Sequence, residues 1–549
     1  MGVQEASQNK EQLSLERFDV LVIGGGVVGS AIARELCRYR LRLGVLEKNP
    51  DVCMETSGRN TGVCHGGFAY DTGSLKAKLC VEGNRMMDSL SKELDFPFRR
   101  CGKVLVGNTR EDYERLLEVI AQGEKNGASN MRMIDEEELH RLIPGVIGKF
   151  AMLSGNSGIL DPFQMTIALA ENAVQNGARY FLEREVTGIR QTEEGYLVET
   201  SRETFRTRWV INSAGLNCAK ISEMLGIRGH RVIGSKDDYI LLDNRLGKDL
   251  PMPIYTVPSN TYMGIHVTIT TDGNVLLGPT AQDTENLSWY GVEQKNLDFL
   301  YKAAMDLWPN FTRADYIRTY SGILPKWIDG NGKIQDFCIE IRDDIAPRAV
   351  NLVGIESPGL TASVAIARHV IRMMQERERF PGNESFDPVR HGIVRFAEQE
   401  PQVQAGLIEE NPDYGQLVCR CQKVTRAELL QAVHNPLGVR TLTGLKVRTR
   451  AMMGRCQGGY CQMRLTQMLE EELKIPEKEI LYSRPGSPLF FGKVREIADT
   501  GNNGTEKAEA GNAQNGNTES ERGKGMDIGR MPGDKRNSME PVPGEEAHS

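Results

Sequence analysis

The sequence is poor in the features that would settle its class at a glance. No large excess of positive charge is present: 67 basic residues stand against 74 acidic ones, a net charge of −7. A chain with that balance has no global field to draw it to nucleic acid or to an anionic membrane, so an anionic ligand must be held by local cations. The first sixteen residues, MGVQEASQNKEQLSLE, contain neither a basic run nor an apolar stretch of the kind that begins a secretory leader. Aromatic residues make up only 6% of the chain, and none occurs from Thr500 to Ser549. Such a tail cannot bury enough apolar area to offset its ordering entropy, and 498–549 is expected to be disordered, as is a flexible arm over 1–16. Long apolar runs are also missing: the fourteen residues from Val20 to Ala33 are all apolar, Gly or Ser, but four are glycines, and Arg34, Glu35, Arg38 and Arg40 follow. A membrane span needs about twenty apolar residues, so this run is no anchor. At most a peripheral membrane association is expected.

What the run does encode is a turn. FDVLVI reads as a buried parallel strand, GGGVVG from Gly24 to Gly29 fits GxGxxG, and the following residues continue as a helix. Gly24 suits the tight turn, Gly26 a close approach of pyrophosphate, and Gly29 the packing of helix on strand. Eighteen residues beyond Gly29 a second strand ends in Glu47, placed to take the hydroxyls of an adenosine ribose, with Lys48 beside it. The helix N-terminus supplies amide donors and a positive dipole end to the diphosphate. This pattern identifies a dinucleotide site without separating FAD from NAD.

The nucleotide-type pattern recurs in pieces. Gly158 to Gly215 reads as helix, strand and a hairpin-like pair ending at Ala214 and Gly215, and AVNLVGIESPGLTASVAIARHVIRMMQE reads as strand, turn and long helix. The expected fold is therefore α/β: a Rossmann-like cofactor domain over 17–90, 151–235 and 341–385. A mixed-sheet cap domain over 91–150 and 236–340 is inserted into it, with alternating strands such as YILLD and NVLLGP. A linker over 386–415 leads to a small Cys-bearing module over 416–490.

That module contains Cys419 and Cys421 as a CxC pair and Cys456 and Cys461 as a CxxxxC pair, with 34 residues between the pairs. Four thiolates from two loops suit a [2Fe-2S] cluster or a structural zinc; zinc favours spacings of two to four, which CxC does not meet. The other seven of the eleven cysteines are scattered and read as buried thiols, and the absence of a leader points to a reducing, cytoplasmic setting.

The order GGGVVG, ETSGRNTGVCHGG, GSLKAKLCVEGN, VINSAG, GIHVTITTDGNVLLGP and GIESPGLTASVAIA resembles the FAD-dependent oxidoreductases of the D-amino-acid-oxidase-like superfamily. That group includes L-2-hydroxyglutarate oxidase and glycerol-3-phosphate dehydrogenase. CRCQKVTRAEL and RTRAMMGRCQGGYC resemble the iron-sulfur module appended to the anaerobic glycerol-3-phosphate dehydrogenase large subunit, which is similar to bacterioferritin-associated ferredoxin. The resemblance implies FAD, a [2Fe-2S] cluster on the four cysteines, and oxidation of a secondary alcohol with onward electron transfer to a flavoprotein subunit or a quinone. It implies flavin contacts at Thr56, Ser57, Arg59 and Asn60, at Val186, Ala214 and Gly215, and at the amides of Gly359, Leu360 and Thr361. His65 and His266, inside family-like motifs, are the expected catalytic residues, with the base not assigned between them, because imidazole takes a hydroxyl proton near neutral pH.

The sequence departs from the family at RTYSGILPKW, where Leu324 stands in place of the usual substrate-binding Arg. Arg318, Lys326 and Tyr262 are then the expected contacts of a small anionic substrate, and SKDDY at 235–239 replaces a common KGEY-like sequence. Guanidinium and ammonium are not interchangeable, so the substrate does not carry over automatically. The expected activity is oxidation of sn-glycerol 3-phosphate; L-2-hydroxyglutarate or another 2-hydroxy or amino acid is the alternative substrate. A non-catalytic electron-transfer protein is the alternative of another class.

Overall fold

The computed structural model describes residues 15–258 and 264–492. Tyr262, most of the N-terminal arm and the whole of the 498–549 tail lie outside the described residues.

The strand Arg17–Ile23 is central to an eight-stranded sheet because its apolar residues leave no face for water. It pairs in parallel with Leu43–Leu46 on one side and with Thr204–Asn212 on the other. Ala349–Val353 continues the parallel set beside Thr204–Asn212, and Val186–Thr192 and Gly195–Thr200 add an antiparallel hairpin. The helices Val27–Leu36 and Gly359–Gln375 pack together over this sheet, sharing a core with Trp209, Ile211 and Val350.

The turn from the first strand to the first helix depends on its glycines. Gly24 has φ of +107°, and a Cβ there would lie 2.6 Å from the Ser213 carbonyl oxygen. A Cβ on Gly29 would lie 2.0 Å from the Gly24 carbonyl oxygen, so any side chain would drive helix and strand apart.

A second, mixed sheet is built from Lys103–Gly107, Met131–Asp135, Phe150–Ser154 and the strands between Arg231 and Ile328. Its longest pairing runs Arg231–Leu242 antiparallel against Tyr316–Ile328. Among the described residues only Ile254–Thr256 on Lys103–Gly107 is parallel in this sheet. Phe150–Ser154 and the first residues of Arg231–Leu242 thus pair with the cap sheet, a few residues outside the ranges expected for it.

The cysteine-bearing segment folds around its own core of Leu429, Leu442, Leu445 and Leu465, under the helices Arg426–Val433, Leu442–Thr449 and Gln462–Leu473. Thr425 and Glu428 form a reciprocal cap at the start of the first helix, the Thr425 amide donating to the Glu428 carboxylate at 2.7 Å and the Glu428 amide to Thr425 Oγ1 at 3.4 Å. The segment expected to be a linker is tied down at its start. Arg390 is buried and donates to Glu171 at 2.6 and 3.0 Å, and Asn172 donates to the Asp387 carbonyl at 3.1 Å. A guanidinium removed from water must be matched by a carboxylate, and that pairing holds this stretch against the helix Pro162–Gln175.

Candidate active site

The helix Val27–Leu36 begins at Gly26 without a side-chain cap, so its first amides are available to a ligand. One is taken: the Val27 amide donates to Ser57 Oγ at 3.0 Å. Glu47 closes the same corner. One carboxylate oxygen accepts the Gly25 amide at 2.7 Å, and the other accepts the backbone and side-chain nitrogens of Asn49, each at 2.8 Å. A carboxylate has about four lone-pair positions, which leaves room for ribose hydroxyls. Burial raises the Glu47 pKa, against the lowering effect of those hydrogen bonds.

From this corner a cavity runs between the two sheets. Gly24, Gly26, Glu47, Lys48, Thr56, Ser57, Asn60, Val186, Ala214 and Gly215 line one part, and Gly359 and Leu360 line another. The helix Gly359–Gln375 also opens onto the cavity with no side-chain cap and no acid in its first turn. Two uncapped helix ends facing one cavity suit a flavin dinucleotide, one for its central diphosphate and the other for the flavin pyrimidine, where charge accumulates on reduction.

His65, His266 and Lys326 also line this cavity, together with Leu324, the residue at the family's Arg position. The His65 amide donates to Thr361 Oγ at 3.0 Å, and its carbonyl accepts from Asn84 at 2.9 Å. Thr361 therefore serves from behind the wall. Burial, then the charges of Lys103 and His266, hold the His65 imidazole well below its ordinary pKa. His266 is buried and stacks on the Tyr255 ring at 3.4 Å and 12°.

Two predicted contacts are placed elsewhere. Arg59 does not line the cavity; its guanidinium donates to the carbonyls of Ser321 at 3.2 Å and Met54 at 3.4 Å and lies over the Tyr290 ring. Arg318 is exposed and also absent from the wall. It lies on the strand Tyr316–Ile328, six residues before Leu324, about 20 Å along an extended chain. Its charge instead reaches Arg59 and Lys446. Gly29 is a packing position.

Two groups at or beside the site were not singled out as site residues. Lys103 is 2% exposed, with its ammonium 4.1 Å from the centre of the Tyr255 ring and 4.8 Å from that of Phe68. Burial brings its pKa down to about 7. Asp237, within SKDDY, lines the cavity and accepts from the Ala281 amide at 3.0 Å; burial raises its pKa to about 7. A lysine heading the buried strand KVLVG was the one available signal for Lys103.

The four module cysteines meet. Cys419 and Cys421 sulfurs are 3.8 Å apart, Cys421 and Cys456 sulfurs 3.7 Å, and Cys461 hydrogen-bonds Cys419. Backbone amides at Gly458 and Tyr460 approach Cys456, and one at Met452 approaches both Cys419 and Cys461, as donors to cluster thiolates do. Cys419 and Cys461 are buried, whereas Cys421 and Cys456 are exposed. Of the seven other cysteines five are buried; Cys101 and Cys338 are only partly so.

Known proteins match this arrangement. The FAD dependent oxidoreductase family matches residues 19–373, and the BFD-like [2Fe-2S] binding domain matches 417–471. A glycerol 3-phosphate dehydrogenase of Caloramator mitchellensis is 34% identical over 481 residues, spanning 87% of this chain and 99% of that protein. A mitochondrial L-2-hydroxyglutarate dehydrogenase of Nematostella vectensis is 30% identical over 431 residues, spanning 68% of this chain and 94% of its own length. The dithionite-reduced, FAD-bound L-alpha-glycerophosphate oxidase of Mycoplasma pneumoniae superposes with a TM-score of 0.64 at 27% identity, over 68% of this chain and 99% of that one.

Proposed function

Because the chain belongs to the FAD-dependent oxidoreductase family and carries a BFD-like [2Fe-2S] domain, we propose that it is a dehydrogenase of sn-glycerol 3-phosphate that passes electrons through the cluster to an external acceptor. The observation that carries the substrate is the span of the Caloramator relative, which aligns with 87% of the chain, whereas the Nematostella L-2-hydroxyglutarate relative aligns with 68%.

Bound FAD supplies the hydride acceptor and the cluster a one-electron relay. His65 accepts the hydroxyl proton: its depressed pKa keeps the imidazole neutral at physiological pH, and Thr361 and Asn84 hold its backbone from two sides. His266, fixed by its stack on Tyr255, orients the substrate hydroxyl. Lys326 receives the anionic end of the substrate; it now pairs with the exposed carboxylate of Asp283 at 3.1 Å, a partner that solvent can take over. Dinucleotide contacts come from Gly24, Gly26, Glu47, Lys48, Thr56, Ser57 and Asn60 at one end and from Gly359 and Leu360 at the other. Gly29 and Thr361 support that seat from behind. Cys419, Cys421, Cys456 and Cys461 ligate the cluster, whose two exposed ligands mark the exit toward a flavoprotein subunit or quinone. A chain of eleven cysteines, four of them gathered as metal ligands, suits a reducing compartment such as the cytoplasm. Among the described residues no helix is long and apolar enough to cross a membrane.

Leu324 in the cavity wall keeps one second reading open, oxidation of L-2-hydroxyglutarate or another 2-hydroxy or amino acid, because without the family's phosphate- or carboxylate-binding Arg the substrate does not carry over from the relatives. An anaerobic titration of the holoprotein decides. Glycerol 3-phosphate is expected to bleach the flavin absorption and reduce the cluster; bleaching by L-2-hydroxyglutarate alone establishes the second reading, and bleaching by no alcohol or amine leaves a non-catalytic electron carrier.

A further inference from the structure

Outside the cavity, three side chains of different ligand chemistry converge where the cap joins the cofactor sheet. His230 directly precedes Arg231–Leu242, the strand by which the chain enters the cap sheet. Cys338 and Glu340 are two residues apart on Cys338–Glu340, the strand by which it returns to the cofactor sheet, and so share one face of that strand. His230 Nε2 lies 3.3 Å from a Glu340 carboxylate oxygen and 3.8 Å from Cys338 Sγ. One ligand atom from each of the three falls within 4.8 Å of the others.

These separations have the size of a coordination shell. With metal–nitrogen and metal–oxygen bonds of about 2.0–2.1 Å and a metal–sulfur bond of about 2.3 Å, tetrahedral angles put nitrogen and oxygen about 3.3 Å apart, and nitrogen and sulfur about 3.6 Å apart. We infer that His230, Cys338 and Glu340 form a site for one divalent cation of the zinc class, separate from the four-cysteine cluster and completed by water. A thiolate and a carboxylate cancel the two positive charges, so a neutral assembly occupies this partly buried place. The surroundings already orient the donors. Asn351 donates to Glu340 at 3.0 Å while its own oxygen accepts from Asn212 at 2.8 Å and Ser222 at 2.7 Å, and the Trp327 ring packs 5.5 Å from the imidazole. Trp327 belongs to Tyr316–Ile328, the last long strand of the cap. The cation thus ties the entry into the cap to the exit from it and holds the cap over the cavity.

The test uses the flavin- and iron-loaded full chain, dialysed with Zn2+ and then against metal-free buffer. One zinc per chain is expected beside two irons, and Cys338→Ser and His230→Gln are expected to retain none with flavin and iron unchanged. Co2+ in place of Zn2+ is expected to give the near-ultraviolet thiolate band and visible bands of tetrahedral cobalt in the unsubstituted protein, and neither in Cys338→Ser. Equal zinc retention by the unsubstituted protein and both variants, or a cobalt spectrum without a thiolate band, overturns the site and leaves a plain Cys–His–Glu hydrogen-bonded cluster. The cobalt spectrum of the unsubstituted holoprotein decides alone if a variant loses its cofactors.

Discussion

Arg448 of the iron-sulfur domain grips Asp51 of the cofactor-binding loop with two hydrogen bonds, at 2.7 and 3.1 Å, and the two side chains are 2% and 4% exposed. Glu171 lies 3.7 Å from the same guanidinium and carries Arg390 on its other side. The loop that Asp51 belongs to also bonds the glycine turn, the Cys53 amide donating to the Gly25 carbonyl at 3.3 Å. One short segment therefore reads both the dinucleotide seat and the docking of the electron-relay domain.

Breaking that pair strands a buried charge. Arg448→Met is expected to lower stability by about 3–5 kcal/mol and to weaken flavin retention, although Arg448 touches no part of the cavity wall. Urea unfolding followed by flavin fluorescence checks this; an unchanged midpoint and slope contradict it.

The proton-accepting role of His65 is open to kinetics. His65→Asn is expected to reduce kcat/KM by roughly 100- to 10,000-fold, with FAD and iron contents unchanged. The unsubstituted enzyme needs the neutral imidazole, and burial together with Lys103 and His266 depresses its pKa. Activity should hold as pH falls to the ordinary histidine range and decline only below it; a decline already centred on that range excludes His65 as the base.

Lys326 is the cavity cation closest to the missing Arg, two residues beyond Leu324 on the same face of the strand. Lys326→Met is expected to raise KM for an anionic substrate about 10- to 100-fold, the worth of one charge-assisted hydrogen bond, with little change in kcat. Equal KM values for variant and parent would place the anion elsewhere.

Lys103 makes stability depend on pH with a definite sign. Its pKa in the folded protein, about 7, lies below the ordinary 10.5, so its contribution is full above 10.5 and is lost as pH falls through about 7. Lys103→Met removes that dependence, and relative to it the parent should lose on the order of 3 kcal/mol between pH 10 and pH 7. Parallel stability curves for the two proteins rule out a buried, titrating ammonium.

Cys456, exposed at the rim of the cluster, separates the two halves of turnover. Cys456→Ser is expected to lose iron and acceptor reduction while anaerobic flavin bleaching by substrate stays within about threefold, because hydride transfer to the flavin does not pass through the cluster. Loss of bleaching together with the iron contradicts this division.

The glycine turn, Glu47 and the four cysteines were legible because their chemistry is local. The positive φ at Gly24 is set within one turn, the Gly25–Glu47 bond closes within one strand–helix–strand unit across 22 positions, and each thiol pair is set by its own short spacing. The cap was legible as alternating strands for the same reason. The polar surroundings of the cavity were not. Lys103 meets Tyr255, and Tyr255 meets His266, across strands brought together only by the cap sheet. Arg318 passed as a substitute for the missing Arg because spacing along a sequence hides the length of a strand, and Arg59 passed as a cofactor contact because nothing near it in sequence announces the carbonyl of Ser321.

Sequence alone determined that the chain carries a dinucleotide turn and a four-thiolate site, since backbone conformation and ligand spacing are short-range properties, and the order of its motifs, by resemblance, named FAD and [2Fe-2S]. Tertiary structure decided which charges face the cavity, which are buried against one another as Asp51 and Arg448 are, and how the relay domain is joined to the flavin loop. Those outcomes depend on desolvation and on pairing between residues up to 397 positions apart.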